Sequence, residues 1–333
     1  MTGAAGSIGS EICRQITKHP YRNLILVDQA ESPLYDLQQE FIQAGIKNFT
    51  AIVANLRDAH RMEHIFNKYK PQRVFHAAAY KHVPLMENNP YEAVKVNVFG
   101  TRILADLAIA HHIEKFVMIS SDKAVNPTNV MGATKRAAEI YISSLFNTSK
   151  TKFITTRFGN VLGSNGSVIP LFKKQIAAGG PLTLTHKDIT RYFMTIPEAC
   201  GLVLEAGTMG EGGEIFIFDM GKSVKIITLA KRMIKLSGLS YPDDIDIIYT
   251  GLRPGEKLYE ELLANEENML PTHHKKIMIA KVTDLDTQKS KEAIIALCDL
   301  SEYSDVNSIV TKLKEIVPEY ISQNSSFEKL DAI

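Results

Sequence analysis

Two groups of residues in this 333-residue chain have the types and spacing for chemistry. The first is Gly3, Gly6 and Gly9, a G-x-x-G-x-x-G spacing that opens a helical pattern (Ile8, Ile12, Ile16). Small residues there let the backbone approach a pyrophosphate. The helix start, with Ser7 and Ile8, offers free N–H donors and the positive end of the dipole. Asp28 closes the next apolar run, nineteen residues after Gly9, where a carboxylate accepts both ribose hydroxyls of an adenosine. A 2′-phosphate would meet that negative charge and no arginine follows immediately, so NAD is expected rather than NADP. The second group is Ser121-Asp122-Lys123, followed by Lys135. A carboxylic acid and an amine side by side suit proton transfer, and the carboxyl end of a strand is where a doubly wound sheet places its ligands.

Those residues need a scaffold. Short apolar runs at 24–28, 49–53, 73–76, 116–120 and 153–157 alternate with helical patterns near 32–44, 58–68, 91–111 and 130–148. The alternation predicts an α/β fold, a Rossmann-type doubly wound parallel sheet with helices on both faces. Beyond Gly159, short strands (181–185, 214–219, 245–249) mix with helices near 197–207 and 223–237, which predicts a smaller α/β lobe. The expected division is an NAD-binding domain over 1–159 with a catalytic strip at 120–135. A mainly substrate-binding lobe follows over 160–285, then a helical tail over 286–333. A strand belongs before the glycine loop, yet the chain begins Met1-Thr2-Gly3. The expectation is a sheet lacking its first, central strand, its neighbours without a ladder partner, in a truncated chain that binds NAD poorly and is unstable.

Composition narrows the function classes. Thirty-eight basic side chains against thirty-seven acidic ones leave no field to steer the chain onto nucleic acid. Hydrophobic residues at 45% and charged residues at 23% exclude disordered, fibrous and disulfide-scaffold classes. Cys13, Cys200 and Cys298 have no metal or disulfide spacing, which suits a reducing cytoplasm. No apolar run approaches the ~20 residues of a membrane span. The pair His273-His274 has no third ligand beside it and reads as a solvated loop, so no metal is expected.

The chain resembles the extended short-chain dehydrogenases/reductases. Asn55-Leu56 falls where that superfamily contacts adenine, although an aspartate is commoner at position 55. His76-Ala77-Ala78-Ala79 matches its small-residue turn under the cofactor, and Asn97 matches its helix asparagine. Its usual Tyr-x-x-x-Lys appears as Met131-Gly132-Ala133-Thr134-Lys135. Lys135 is the residue the resemblance assigns to the nicotinamide ribose. A thioether at Met131 takes no proton; that leaves either another base, with Asp122 and Lys123 as the obvious substitutes, or a non-catalytic binding module.

Longer blocks sharpen the resemblance. Residues 79–87, 121–136, 157–170 and 251–258 closely resemble the UDP-N-acetylglucosamine 4,6-dehydratases of capsular-polysaccharide and protein-glycosylation systems. Methionine at the tyrosine position is usual in one branch of them. The resemblance implies a redox-neutral lyase: C4 of the sugar is oxidised, water is eliminated across C5–C6, and hydride returns to C6. It implies Lys123 as the C5 base, with a pKa lowered by burial or nearby cations. Asp122 is the implied acid at the C6 oxygen and a relay for the C4 proton, and Ser121 the donor to the C4 oxygen. Arg191 and Arg253 are expected on the phosphates, Asn160 and the backbone of Val168 and Pro170 on uridine and phosphate, and Glu256 on ribose hydroxyls or on Arg253. Lys81 and His82 are expected to reach the sugar or its diphosphate. Competing readings are a nucleotide-sugar C4 epimerase and a non-catalytic NAD-binding protein. The expected partners are a UDP-sugar and a second copy through the long helices of the first lobe. The expected location is the cytoplasm, with a longer parent anchored at the inner face of a membrane.

Overall fold

The computed structural model describes residues 1–146, 148–261, 269–280, 287–303 and 305–331. After the glycine loop, α1 (Ser7–Ile16), β1 (Leu24–Asp28), α2 (Glu31–Gln43), β2 (Phe49–Val53), α3 (Ala59–Tyr69) and β3 (Arg73–His76) follow in turn. Two short helices, α4 (Val83–Asn88) and α5 (Pro90–Val94), lead through a π turn at Lys95–Phe99 into α6 (Gly100–Ala110). Then come β4 (Lys115–Ile119), α7 (Val130–Ser144) and β5 (Lys152–Arg157). Side-chain caps fix two of these helix starts: Asp58 accepts from Arg61 N–H at 2.9 Å, and Asn129 from Gly132 N–H at 2.8 Å.

The remaining chain builds β6 (Asn160–Val161), α8 (Val168–Ala177), β7 (Leu182–Leu184), β8 (Thr190–Arg191), β9 (Phe193–Met194) and α9 (Ile196–Met209). Next are β10 (Ile215–Phe218), β11 (Val224–Lys225), α10 (Ile226–Leu236) and β12 (Ile247–Tyr249). Finally come β13 (Met269–Pro271), β14 (Ile277–Ala280), α11 (Thr287–Tyr303) and α12 (Val306–Ile316). Strands β3, β4, β5 and β10 run parallel, and β14 and β13 extend that sheet antiparallel. The segment 160–285 is therefore shared between two bodies. It lends β10, β14 and β13 to the main sheet, while β7 and β12 pair beside α8 and α10 around Phe172, Leu182, Ile226 and Ile247.

The main sheet is buried on both faces, so its strands read as apolar runs rather than alternations. Phe116 and Met118 of β4 pack with Ala133, Ala137 and Tyr141 of α7. Val117 and Ile119, pointing the other way, pack with Ala199, Val203 and Ala206 of α9.

The place of the first strand is not empty. Thr2 bridges in parallel to both Val27 and His76, joining the β1–β2 pair to the rest of the sheet. Thr2 N–H donates to Phe75 O and Ala77 N–H to Thr2 O, each at 3.0 Å; Val27 N–H donates to Met1 O at 2.9 Å. Two residues thus supply ladder partners to β1 and β3 and anchor the glycine loop, correcting the expectation of unpartnered neighbours. Thr2 spends its own N–H and C=O on β3, while Met1 and Ala4 on either side of it bond to β1, as the alternation of a parallel strand requires.

The long helices of the first lobe are also not free. Helices α11 and α12 pack on α7, α5 and the π turn, and thirteen of the fifteen α7 residues are buried. Ile294, Leu297, Val310 and Leu313 join the core beneath them. Helices α11 and α12 thus cover much of the α7 face on which a second copy was expected. Among the described residues no helix is long and apolar enough to cross a membrane.

Candidate active site

One cavity of about 300 Å³ lies over the glycine loop. Gly3, Gly6, Asp28, Asn55 and Leu56 line it, and Ala77, Ala78 and Ala79 form its wall below β3. The glycines are required by close approach. Gly3 has φ +69°, and a Cβ there would lie 2.5 Å from Ala78 N; a Cβ on Gly9 would lie 1.9 Å from Gly3 O. Gly9 therefore packs the loop and does not line the cavity. Helix α1 has no side-chain cap, and the first-turn amides of Ser7, Ile8 and Gly9 have no intrahelical acceptor. Asp28 accepts from Ala5 N–H and from Ala30 N–H, both at 2.9 Å, one on each oxygen. It holds the loop and keeps lone pairs for ribose hydroxyls.

Asn97, at the helix-asparagine position, faces the scaffold. It is fully buried, accepts from Tyr80 N–H at 2.8 Å, and donates to Tyr80 O and Thr134 Oγ1 at 3.0 Å. All its polar atoms are committed to the scaffold, and it acts through the backbone of Tyr80, which lines the cavity.

A second cavity, about 350 Å³, opens towards the smaller lobe. Lys81, His82, Asn160, Val168, Arg191, Arg253 and Glu256, which the resemblance gathers around a substrate, all line it, together with Lys123. Pro170 does not, although it lies in the first turn of α8. Arg191 is a brace rather than an open cation. Its guanidinium donates to the carbonyls of Thr190, Lys257 and Leu258 and pairs with Glu256 at 3.5 Å and Glu260 at 3.4 Å. Arg253, with 57% of its side chain exposed, lines the cavity and among the described residues pairs with Glu256 alone.

The catalytic strip leaves β4 at its carboxyl end. Ser120 Oγ donates to Glu139 at 2.6 Å, and Arg157 clamps the same carboxylate, locking β4, β5 and α7 together. Ser121 Oγ donates to Asp122 Oδ1 at 2.8 Å, and Lys123 Nζ donates to the same oxygen at 3.0 Å. Asp122 Oδ2 is buried and meets no hydrogen-bond partner among the described residues. A Cβ on Gly159 would come within 3.0 Å of it. Lys135 Nζ donates to Ile119 O at 2.7 Å, and burial, partly opposed by Glu139, lowers its pKa to about 8. Met131 is 3% exposed, packs in the core with Ala137 and Phe116, and lines neither cavity. It occupies the tyrosine position as a packing residue, in keeping with a thioether that takes no proton.

Glu260 is the site residue that sequence reasoning missed. It is buried and pairs with Lys123 at 3.2 Å, so the amine lies between two carboxylates. Burial works against the charge on Lys123, but Asp122 and Glu260 outweigh it and raise the pKa. That reverses the expected lowering. His273 pairs with Glu205 on the surface, and no cluster of metal ligands occurs among the described residues.

The family model described as "Polysaccharide biosynthesis protein" matches residues 1–282. Capsular polysaccharide biosynthesis protein CapD of Staphylococcus aureus is 54% identical over 285 residues, 85% of this chain. The matched part is 47% of CapD, so the chain spans about half the length of that relative. A UDP-N-acetylglucosamine 4,6-dehydratase (inverting) of Campylobacter jejuni is 32% identical over 81% of this chain and 78% of its own length. A UDP-glucose 4-epimerase of Rickettsia rickettsii is 34% identical over 80% and 77%. Among solved structures, that of Pen from Bacillus thuringiensis matches with a TM-score of 0.78 at 32% identity, over 88% of this chain and 95% of that one. With the match running from the glycine loop through β14, the chain belongs to the CapD-like polysaccharide biosynthesis family of extended short-chain dehydrogenases/reductases.

Proposed function

We propose that the chain is a nucleotide-sugar 4,6-dehydratase that holds NAD and converts UDP-N-acetylglucosamine to a UDP-4-keto-6-deoxy-N-acetylhexosamine. The observation that carries this reading is the Asp122–Lys123 pair, with the unpartnered Asp122 oxygen at the sheet edge and Lys123 facing the second cavity. An epimerase needs a proton acceptor at C4 only. A dehydratase needs in addition a base at C5 and an acid at C6, and here an amine and a carboxylic acid stand together.

NAD fits the first cavity by three features: a loop in which Gly3 and Gly9 admit no Cβ, uncapped amides at α1, and Asp28 with spare lone pairs. When bound, it supplies a hydride acceptor for C4 and a hydride donor for C6. Lys135, one helical turn after Met131, takes the nicotinamide-ribose role that the family resemblance implies for it. The UDP-sugar takes the second cavity. Leu184, Ile189, Phe193 and Ile226 give an apolar wall for a nucleobase, and Arg253, Lys81 and His82 supply donors for a diphosphate.

Proton transfers then follow from the strip. Ser121 passes the C4 hydroxyl proton to Asp122, to which it is already bonded. Asp122 gives that proton to the C6 hydroxyl, which leaves as water. Lys123 removes the C5 hydrogen and later returns it, so removal and return occur on one face and C5 configuration is retained. Two protons are taken up and two given back, with no net consumption of cofactor. The deciding assay is incubation with UDP-N-acetylglucosamine and NAD in deuterated water, followed by NMR of the product. A 4-keto-6-deoxy sugar carrying deuterium at C5 supports the reading, and UDP-N-acetylgalactosamine instead identifies an epimerase.

The cofactor site makes its own prediction. A Gly3→Ala chain must shift the backbone of Ala77–Ala78 or leave φ +69°, a strain of about 1–3 kcal/mol. NAD binding is expected to weaken roughly tenfold or more, read by calorimetric titration. Unchanged affinity would remove the pyrophosphate from this loop.

A further inference from the structure

We propose that Glu260 governs the protonation of Lys123: it holds the amine as an ammonium at rest and takes its proton when Lys123 acts at C5. This rests on the dehydratase reading for its second half only.

The geometry is a chain of alternating charges. Lys123 Nζ lies 3.0 Å from Asp122 Oδ1 and 3.2 Å from Glu260 Oε1, and Arg191 Nε lies 3.4 Å from the same Glu260 oxygen. The other groups facing Lys123 are Lys81, on the connection after β3, and Asn160 of β6 at 3.5 Å. Lys257 adds a further positive charge near Glu260. The loop that carries Glu260 is tied to the strip it serves. Lys257 Nζ donates to Val125 O at 3.3 Å, Asn126 donates to Glu261 at 2.7 Å, and Thr128 and Asn129 both donate to Gly255 O. Those bonds fix the carboxylate against the amine from the far side of the cavity.

A charged amine is no base. Lys123 must shed one proton before it removes the C5 hydrogen, and Asp122 is engaged at that stage with the proton from C4. Glu260 is the remaining carboxylate in contact. The Nζ–H bond breaks as an O–H bond forms on Glu260, leaving a neutral amine beside a neutral acid. After Lys123 has returned its proton to C5, Glu260 hands the stored proton back and the ammonium is restored. No electron changes place and no co-reactant is needed.

The test is pH-dependent labelling of the full chain with acetic anhydride, reading acetylation of Lys123 by mass spectrometry against Lys81. Lys123 keeps 20% of its side chain exposed, enough for a small reagent. Glu260→Gln keeps the shape and removes the charge. It is expected to lower the Lys123 titration midpoint by about one pH unit or more, whereas Glu260→Asp stays nearer to wild type. An unmoved midpoint in a folded Glu260→Gln chain overturns the proposal, whether or not the chain turns over any sugar. Where turnover is measured, Glu260→Gln should cut kcat at least tenfold while moving the acid limb of kcat/KM to lower pH. Wild-type kcat together with a shifted midpoint overturns the proton-acceptor half. Absence of dehydration by the wild-type chain refutes the dehydratase reading, and with it that half, while the labelling result still decides the resting pair.

Discussion

Asp122→Asn leaves NAD affinity unchanged and lowers dehydration of UDP-N-acetylglucosamine by about 10²–10⁴-fold, the range for loss of a positioned general acid. The expectation follows from what the amide keeps and loses. Asparagine is isosteric, so it still bonds Ser121 and fits the space that the missing Cβ of Gly159 leaves beside it. It cannot hold a proton, so neither the C4 hydroxyl nor the C6 oxygen has its exchange partner. Asp122 lines neither cavity, which is why cofactor titration should not move. The substitution also removes one of the two carboxylates that keep Lys123 charged, so the base at C5 becomes easier to free, and a loss of rate cannot be ascribed to a trapped ammonium. Near-normal dehydration by a folded Asp122→Asn chain would take the acid role away from this residue and send the search to the donors around the cavity.

Much of the first lobe was legible because local rules govern it. Parallel strands buried on both faces read as apolar runs, and the glycine loop reads as glycine because a Cβ at Gly3 or Gly9 meets backbone. Through the resemblance, seven of the eight residues expected on the substrate could be named that line the second cavity, with Lys123 beside them. What failed to show depends on long-range docking. Glu260 reaches Lys123 across 137 positions of sequence because the 253–261 loop bonds to Val125, Asn126, Thr128 and Asn129, and nothing in either segment alone announces that contact. The sign of the Lys123 shift was misread for a related cause: burial lowers an amine, and here Asp122 and the distant Glu260 together outweigh it. The covering of α7 by α11 and α12 is likewise invisible to helix periodicity, since an apolar face looks the same whether a second copy or the chain's own tail fills it. Asn97 and Met131 were matched to motif positions, and position does not say whether a side chain faces a ligand or the core.

Removing the amine at position 123 should have the larger effect of the two substitutions, because no other nitrogen base is in contact with the pair. Lys123→Ala abolishes deuterium incorporation at C5, with turnover falling by at least about 10³-fold. It also leaves Asp122 and Glu260 facing each other without their shared cation, so part of any loss belongs to stability. The sign is definite. A raised amine pKa contributes stability at neutral pH that is lost only as pH climbs through the folded value, so the alanine chain should be less stable at neutral pH, and the deficit should close at high pH. Lys123→Arg separates the two effects. Guanidinium keeps the positive charge and both ion pairs but is not deprotonated in a protein, so the fold should hold while C5 exchange stays absent. A cooperative melt near wild type with no C5 deuterium assigns the base to Lys123. Continued exchange in the arginine chain shows that a cation suffices there and that another group takes the C5 proton, with Glu260, 3.2 Å from the amine, the first residue to substitute next.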